Sequence, residues 1–224
     1  MTAVFITGSG TGVGKTFVAA NLLLHLRKRG QRVRALKPVV SGFDPANPSG
    51  SDPAILIEAA GRKVTPEELD RVSPWRFRAP LSPDMAARAE KRAIDFDAVT
   101  GFCRSAIAEG GITVIEGIGG IMVPLDDRRT VLDFMVALSL PLVLVGGSYL
   151  GTLSHTLSSQ EVLLQRELDL RAIAISESDG TPPPFEATLA SLTSFAKAPL
   201  LGLRREGPPG RNEASFEHLA RLIA

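Results

Sequence analysis

Short apolar runs alternate with longer segments whose apolar residues recur at helical spacing. The apolar runs predict strands at Ala3–Thr7, Arg32–Lys37, Ile112–Ile115, Pro141–Val145, Arg171–Ile175 and Pro199–Leu203. The helical spacing predicts helices at Thr16–Arg29, Asp52–Ala60, Pro83–Glu90, Asp97–Glu109, Val131–Leu138, Phe185–Phe195 and Asn212–Ile223. Repeated strand–helix units indicate an α/β fold, with a single doubly wound, mainly parallel sheet and helices on both faces. Since no linker or internal repeat interrupts these units, residues 1–224 are expected to form a single domain.

A glycine-rich segment lies between the first predicted strand and the first predicted helix. Its sequence is GSGTGVGKT, from Gly8 to Thr16, and we call it the phosphate-binding loop. In this context glycines let successive backbone N–H groups point at one anion, and the helix N-terminus adds partial positive charge. Lys15 would bridge the outer phosphates, and the Thr16 hydroxyl would hold Mg²⁺. The segment predicts a P-loop NTPase-like domain, although five residues separate Gly8 from Gly14 where the common motif has four.

Charged residues stand at the ends of two other predicted strands. Lys37 ends the second strand and is followed by Pro38, and Glu116 directly follows the third strand. Because parallel strands end at the same edge of a sheet, both residues are expected to face the crevice beside the phosphate-binding loop. An apolar strand that ends in one acid is typical of a Walker B strand, whose carboxylate serves the metal. Asp52 either caps the helix that Pro53 begins or is a second carboxylate directed at Mg²⁺, and the sequence leaves both readings open.

The segment after the fourth predicted strand also has two readings. Thr152 or Ser154 could cap the helix that begins there. The start of that helix could instead hold a carboxylate through its backbone N–H groups. His155 lies in the first turn and would suit a catalytic role, but the sequence shows no partner for it.

Composition narrows the functional classes. Of the 224 residues, 44% are hydrophobic and 22% are charged, which is typical of a globular protein. With 25 basic and 24 acidic residues the net charge is +1, so no positive excess favours nucleic acid or an anionic membrane as a partner. One cysteine, Cys103, cannot form an intrachain disulfide and is typical of a reducing compartment. Because no signal-like leader and no apolar run of ~20 residues is found, a cytoplasmic location is expected.

The combined segments resemble dethiobiotin synthetase, an ATP-dependent enzyme family of biotin synthesis. The matching segments follow one order along nearly the whole chain: Val4–Gly8 with Thr11–Thr16, Lys37–Val39 with Ser41–Gly42, Asp52, Glu116–Gly117 with Gly119–Gly120, Leu150–Thr152, and Ala198–Gly202. The longer spacing of five residues between Gly8 and Gly14 is itself typical of this family. The apparent irregularity of that loop therefore supports the resemblance.

The resemblance implies a reaction and its co-substrates. The substrate 7,8-diaminopelargonate would react with CO₂, supplied as such or as bicarbonate, to give a carbamate. ATP would phosphorylate the carbamate to a mixed carbamic–phosphoric anhydride. The second amine would then close the cyclic urea of dethiobiotin and expel phosphate. ATP is thus implied as co-substrate and Mg²⁺ as cofactor, while neither nucleic acid nor a membrane is implied as a partner.

The resemblance also implies a role for each matching residue. The catalytic residues would be Lys37, Lys15 and Thr11. The nucleotide-binding residues would be Gly12, Val13, Gly14, Lys15, Thr16, Phe17, Asp52, Glu116, Gly117, Ile118 and Gly119. The metal ligands would be Thr16, Asp52 and Glu116, and the substrate-binding residues would be Ser41, Gly151 and Thr152. In the family the last two contacts come from the partner subunit, so a homodimer with the substrate site near the subunit interface is implied.

Three positions depart from the family pattern. Gly12 stands where some members have Glu, and Ile118 stands where Ala is usual, which could narrow the crevice. Ser176 stands where the family usually has an Asn that reads the adenine. A serine offers one hydroxyl and cannot make the paired contact of an amide. Base selectivity is therefore expected to be relaxed, or to be supplied by the loop at Leu203–Gly207.

Two other classes share parts of this pattern. A ParA/MinD-like ATPase switch would have the same fold, but such proteins usually carry a lysine early in the phosphate-binding loop, and Gly8–Gly12 has none. The near-neutral charge and the absence of an amphipathic tail also disfavour a surface-bound switch. A synthetase of the cobyrinate amidation class would need an additional glutaminase domain with a cysteine nucleophile. The dethiobiotin synthetase interpretation is therefore preferred.

Overall fold

Strands alternate with helices along the part of the chain that the computed structural model describes, residues 2–178, 183–205 and 210–223. The strands are β1 (Thr2–Gly8), β2 (Val33–Leu36), β3 (Val39–Val40), β4 (Trp75–Arg76), β5 (Ile112–Glu116), β6 (Leu142–Gly146), β7 (Leu170–Ser176) and β8 (Leu200–Leu203). The helices are α1 (Lys15–Lys28), α2 (Asp52–Ala59), α3 (Pro66–Val72), α4 (Pro83–Ala89), α5 (Phe96–Ala108), α6 (Val131–Leu138), α7 (Thr152–Gln165), α8 (Phe185–Thr193) and α9 (Glu213–Leu222).

Six strands form one sheet in the order β2-β5-β1-β6-β7-β8, and every neighbouring pair is parallel. The chain leaves β1 towards one edge, returns through β5, and then builds the other half of the sheet. The carboxyl end of β1 is therefore the point at which the strand order reverses, where α/β sheets hold their ligands. This arrangement confirms the predicted α/β architecture.

Both faces of the sheet are covered. Alternate residues of β1 point to opposite faces, so that Val4 and Ile6 join a core with α1, α2 and α9, while Phe5 joins a core with α5, α6 and α7. Cys103 lies within the second of these cores and is fully buried, and its burial raises the pKa of the thiol to about 12. Of the helices in the described ranges, none is both long and apolar enough to span a bilayer.

A second, smaller sheet holds the chain that follows Lys37. In it β3 pairs with β4 in parallel, with Val39 opposite Trp75 and Val40 opposite Arg76. The pairing continues beyond the strands, because Phe43 N donates to the carbonyl of Phe77 at 2.9 Å. No apolar run of the sequence predicts so short a pair. Its consequence is that backbone hydrogen bonds hold the chain on both sides of Ser41, at Val40 and at Gly42.

Two helix starts differ from the simplest predictions. The N-cap of α2 is Ser51, whose hydroxyl accepts from Ala54 N, so Asp52 does not cap the helix and its carboxylate is free for other contacts. Neither predicted side chain caps α7, because its N-cap is Gly151 with φ 97°. The Thr152 hydroxyl instead donates to the carbonyl of Gly147 at 2.7 Å. The prediction of a Thr or Ser cap for α7 was therefore wrong.

Candidate active site

The phosphate-binding loop connects β1 to α1 at the centre of the sheet. Gly12 and Gly14 have φ values of 73° and 97°, which residues with a side chain rarely adopt. A Cβ placed on Gly14 would also lie 2.5 Å from Ser176 Oγ, so both conformation and space require glycine. Gly14 caps α1 without any side-chain hydrogen bond. The N–H groups of the first turn are therefore not capped by a side chain, as an anion site requires.

Lys15 begins α1 and folds back over the loop. Its Nζ donates to the carbonyl of Gly10 at 2.7 Å, and the residue is only 6% exposed. Burial lowers the pKa of Lys15 to about 8, and repulsion from the Lys37 ammonium acts in the same direction. Two cations thus lie near one another at the same edge of the sheet, where an anion would stabilise both.

Lys37 directly follows β2 and is almost completely buried, with 2% exposure. Its Nζ lies 2.6 Å from Glu116 Oε1, 2.8 Å from the carbonyl of Gly117 and 3.4 Å from Asp52 Oδ2. Burial alone would lower the pKa of Lys37, but the Glu116 and Asp52 carboxylates outweigh it and raise the pKa. Lys37 is therefore held as a cation among acceptors in a largely dehydrated place.

An oxygen cluster lies beside the two lysines. The Thr16 hydroxyl is 2.9 Å from Asp52 Oδ1 and 2.9 Å from Glu116 Oε1, although its one proton can be donated to only one of them at a time. Glu116 is 1% exposed, and its Oε2 atom is buried without a hydrogen-bond partner among the described residues. The cluster therefore contains more hydrogen-bond acceptor oxygens than protons that could be donated to them.

This donor set fits a magnesium ion. Mg²⁺ prefers hard oxygen ligands and is held by one or two carboxylates together with phosphates and water. Thr16, Asp52 and Glu116 offer one hydroxyl and two carboxylates, and the unpartnered oxygen of Glu116 is a free ligand atom. Within the described residues no cluster of three or more His, Cys, Asp or Glu side chains could hold a metal by itself. Two carboxylates and one hydroxyl suit a Mg²⁺ that is also bound by phosphate oxygens and water.

A crevice of about 640 Å³ opens above these groups. Most of the sequence-predicted site residues line it: Thr11, Gly12, Gly14, Lys15, Thr16, Phe17, Lys37, Ser41, Asp52, Glu116, Ile118 and Gly119. Phosphate-binding glycines, two lysines, two carboxylates and a substrate-binding serine candidate therefore share one space.

Four predicted site residues do not line the crevice. The side chain of Val13 is 2% exposed and packs in the core beneath the loop. Gly117 contributes its carbonyl to Lys37 rather than a surface to the crevice. Gly151 and Thr152 lie at the start of α7, outside the residues that line the crevice of the same chain. The structure therefore separates the predicted carboxylate contact from the predicted phosphoryl-transfer site within one chain.

The sequence analysis named the loop at Leu203–Gly207 for base selectivity but did not single out Arg205 within it. Arg205 follows β8, lines the crevice, and its Nε lies 3.4 Å from Oγ of the fully buried Ser176. Its guanidinium also lies over the Phe17 ring, 6.0 Å from the centroid. The position of Arg205 at the carboxyl end of a parallel strand was the available signal. Of the predicted base-reading loop, residues 206–207 lie outside the described residues.

The chain has close relatives in sequence. Residues 2–203 match the AAA domain family. The chain is 48% identical over 210 residues to the ATP-dependent dethiobiotin synthetase BioD of Caulobacter vibrioides, covering 92% of this chain and 94% of that protein. It is 44% identical over 213 residues to the protein of the same name from Methylobacterium nodulans, covering 92% and 95%. Against the one from Caulobacter sp. (strain K31) the identity is 42% over 226 residues, covering 100% and 96%.

Solved structures with low sequence identity share the fold. The cell division ATPase MinD of Pyrococcus furiosus gives a TM-score of 0.56 at 20% identity, covering 100% of this chain and 98% of that one. A ParA family ATPase from Chlorobium tepidum TLS gives a TM-score of 0.53 at 16% identity, covering 99% and 90%. At these identities the likeness concerns the arrangement of the sheet and helices alone.

Proposed function

The chain belongs to the family of ATP-dependent dethiobiotin synthetases, and we propose that it closes the cyclic urea of dethiobiotin on 7,8-diaminopelargonate with CO₂ and ATP. As a member of this family it is an ATP-dependent ligase of biotin biosynthesis. The observation that carries the mechanistic proposal is the position of buried Lys37. It lies 2.6 Å from Glu116 and shares the crevice with the phosphate-binding loop.

The proposed reaction has three steps. One amine of the substrate adds to CO₂ and loses a proton, which gives a carbamate. A carbamate oxygen then attacks the γ-phosphorus of ATP, and the bond to the β-phosphate oxygen breaks to release ADP. The second amine attacks the carbamate carbon, and phosphate leaves as the ring closes. ATP is needed because a carbamate anion is a poor electrophile until phosphorylation supplies a leaving group.

Cationic groups of the chain are proposed to stabilise the charge that develops. Lys37 would contact the carbamate and the transferred phosphoryl group, and Lys15 would turn from the carbonyl of Gly10 to the outer phosphates. Both ammonium groups are buried, so their fields are screened little by water. Thr11, which lines the same crevice, is proposed to anchor the reacting end of the substrate. Backbone N–H groups from Gly12 to Phe17 would cradle the phosphates.

Magnesium is proposed to be held by Thr16, Asp52 and Glu116. When bound with ATP, Mg²⁺ would neutralise charge on the phosphate oxygens. The three side chains would fix its position, and the Glu116 oxygen that lacks a partner supports this assignment. Lys37 already satisfies Oε1 of the same carboxylate, which leaves Oε2 available as a ligand.

The substrate is proposed to extend from Ser41 towards a second subunit. The family resemblance implies that Gly151 and Thr152 hold the carboxylate of a substrate bound to the partner subunit, and their position outside the crevice of their own chain is consistent with this role. Exposed apolar side chains support association: Leu150 is 90% exposed and Met122 is 57% exposed. We therefore propose a homodimer, formed in the cytoplasm from single-domain subunits that span residues 1–224.

One assay tests the proposed function. Purified protein with 7,8-diaminopelargonate, bicarbonate, Mg²⁺ and ATP should release dethiobiotin and phosphate in equal amounts, and omission of the diamine should stop phosphate release. ATP hydrolysis that proceeds without the diamine and is stimulated by DNA or lipid vesicles would contradict the proposal. That result would favour the ParA/MinD-like switch, which the structural likeness supports only as a fold.

A further inference from the structure

Two serines join the turn before α7 to the segment that follows β7. Ser148 N donates to Ser178 Oγ at 2.9 Å, and Ser178 N donates to Ser148 Oγ at 2.9 Å. The last residues paired in the ladder between β6 and β7 are Gly146 and Ile175. The reciprocal serine pair therefore continues the attachment of these neighbouring strands beyond their ends, with side-chain hydroxyls as the acceptors.

The turn between β6 and α7 also has hydrogen bonds of its own. The Thr152 hydroxyl donates to the carbonyl of Gly147 at 2.7 Å, and Thr152 N donates to the carbonyl of Tyr149 at 3.0 Å. These bonds close the turn on itself, whereas the Ser148–Ser178 pair fastens it to a residue 30 positions away along the chain. Ser148 is fully buried, so its hydrogen bonds lie in a low-dielectric place where they are strong.

The segment that carries Ser178 is itself anchored to β8. Glu177 N donates to the carbonyl of Leu203 at 2.8 Å, and Glu177 Oε1 lies 3.0 Å from Arg204 Nη1. Ser178 therefore follows a residue that both backbone and side chain tie to the edge of the sheet. It can act as a fixed point for the turn before α7.

We propose that Ser148 and Ser178 are positioning residues that set the direction of the first N–H groups of α7. This inference rests on the proposed function, in which the helix start at Gly151 and Thr152 holds the substrate carboxylate. The N-cap residue Gly151 makes no side-chain hydrogen bond to those N–H groups, so they can serve an anion. Because their direction follows that of the turn before them, loss of the serine pair would misalign them with the carboxylate.

Removal of either serine hydroxyl should weaken binding of the substrate. Ser148→Ala and Ser178→Ala each delete one acceptor and leave one backbone N–H unpaired. Each change is expected to raise the dissociation constant of 7,8-diaminopelargonate about fivefold, as the loss of one hydrogen bond does. The primary amide of this substrate lacks the negative charge that a helix start attracts, so its dissociation constant should change by no more than about twofold. Ser178→Thr keeps the hydroxyl on a half-buried residue and should retain the affinity for the carboxylate.

The controls separate positioning from folding and from the proposed reaction. Ser191→Ala changes an exposed serine of α8 and should leave the affinities for the carboxylate and the amide at their wild-type values. Both affinities are measured by calorimetry with Mg²⁺ and a non-hydrolysable ATP analogue, so they can be read without turnover. A wild type that binds the diamine but makes no dethiobiotin would contradict the proposed reaction, while the affinities decide the role of the serines separately. An equal loss for the carboxylate and the amide, or an unchanged affinity for the carboxylate in both alanine variants, would overturn the inference.

Discussion

At the scale of single residues, Lys37 is the clearest example of a buried charged side chain with a proposed functional role. A buried ammonium is stable here because the Glu116 and Asp52 carboxylates and a backbone carbonyl surround it. One carboxylate partner would be enough to stabilise the buried Lys37 ammonium. The ammonium has more than one partner, and Lys37 also lines the crevice. In the proposed reaction, this cation would stabilise the charge that develops during phosphoryl transfer.

Replacement of Lys37 by Met tests that role. The change keeps much of the side-chain volume and removes the charge, so dethiobiotin formation should fall by about 10²- to 10³-fold. Lys63→Met, at an exposed position, is the matched control and should leave turnover unchanged. Turnover is measured with saturating substrates, and circular dichroism checks that the variant is folded. A Lys37→Met enzyme with the wild-type rate would remove this lysine from the mechanism.

Base selectivity depends on Ser176 and its surroundings. Ser176 is fully buried, and its one hydroxyl faces Arg205, so it offers no paired contact to an adenine. We expect ATP, GTP and CTP to support turnover within about tenfold of one another, because a single serine hydroxyl at this position discriminates weakly among bases. Competition among the three nucleotides in one reaction measures the ratios. A strong preference for ATP would contradict relaxed selectivity and direct attention to the loop that contains Arg205.

The sequence located Lys37 and Glu116 better than Arg205. Lys37 and Glu116 could be predicted because each ends an apolar run, and parallel strands deliver their ends to one edge. Arg205 lies in a loop that the sequence analysis named, but its contact with Ser176 could not be predicted from the neighbouring residues. That contact joins two residues that lie 29 positions apart along the chain, so only the folded structure shows it.

At the scale of elements, apolar runs predicted all six strands of the main sheet. They did not predict β3 and β4, because a pair of two-residue strands is decided by tertiary contacts rather than by local pattern. The first residues of the helices were harder to predict from the sequence than the helix interiors. Asp52 and Ser51 are both good N-cap residues, and only the structure assigns the cap to Ser51 and frees Asp52 for Thr16.

The cap of α2 gives a prediction at this scale. Ser51→Ala should destabilise the fold by about 1 kcal/mol, and it should also raise the Mg²⁺ concentration needed for half-maximal turnover about fivefold. The second effect is expected because the next residue, Asp52, is a proposed metal ligand. Thr65→Ala removes the equivalent cap of α3, which carries no proposed site residue, and should affect stability alone. Equal metal dependence in the two variants would contradict the link between the α2 cap and the metal site.

At the scale of the whole molecule, one sheet joins the two main cores. The predicted single domain therefore implies that both cores are lost together when the protein unfolds. Trp75, the one tryptophan in the sequence, lies on the small β3–β4 sheet and packs edge-on against Phe102 of α5. Its fluorescence reports on a region outside the main sheet, while circular dichroism reports on all helices and strands.

Denaturant unfolding followed by both signals should give a single, coincident transition. Saturating ATP with Mg²⁺ should raise the thermal midpoint by about 5–10 °C, since ligand at a hundred times its dissociation constant adds about 2.7 kcal/mol. AMP is the matched ligand control. It lacks the outer phosphates that Lys15 would contact and should shift the midpoint much less. Separate transitions for Trp75 and for the backbone signal would contradict the single-domain prediction.

The burial of Cys103 makes the native protein convenient for labelling with dyes. The one cysteine of the sequence is inaccessible and holds its proton up to high pH, so maleimides should not modify it in the folded state. A cysteine introduced at Phe195, which is 60% exposed at the end of α8, would carry the fluorophore without prior removal of Cys103. Energy transfer between donor- and acceptor-labelled chains would then test the proposed homodimer, and its absence at micromolar concentration would contradict it.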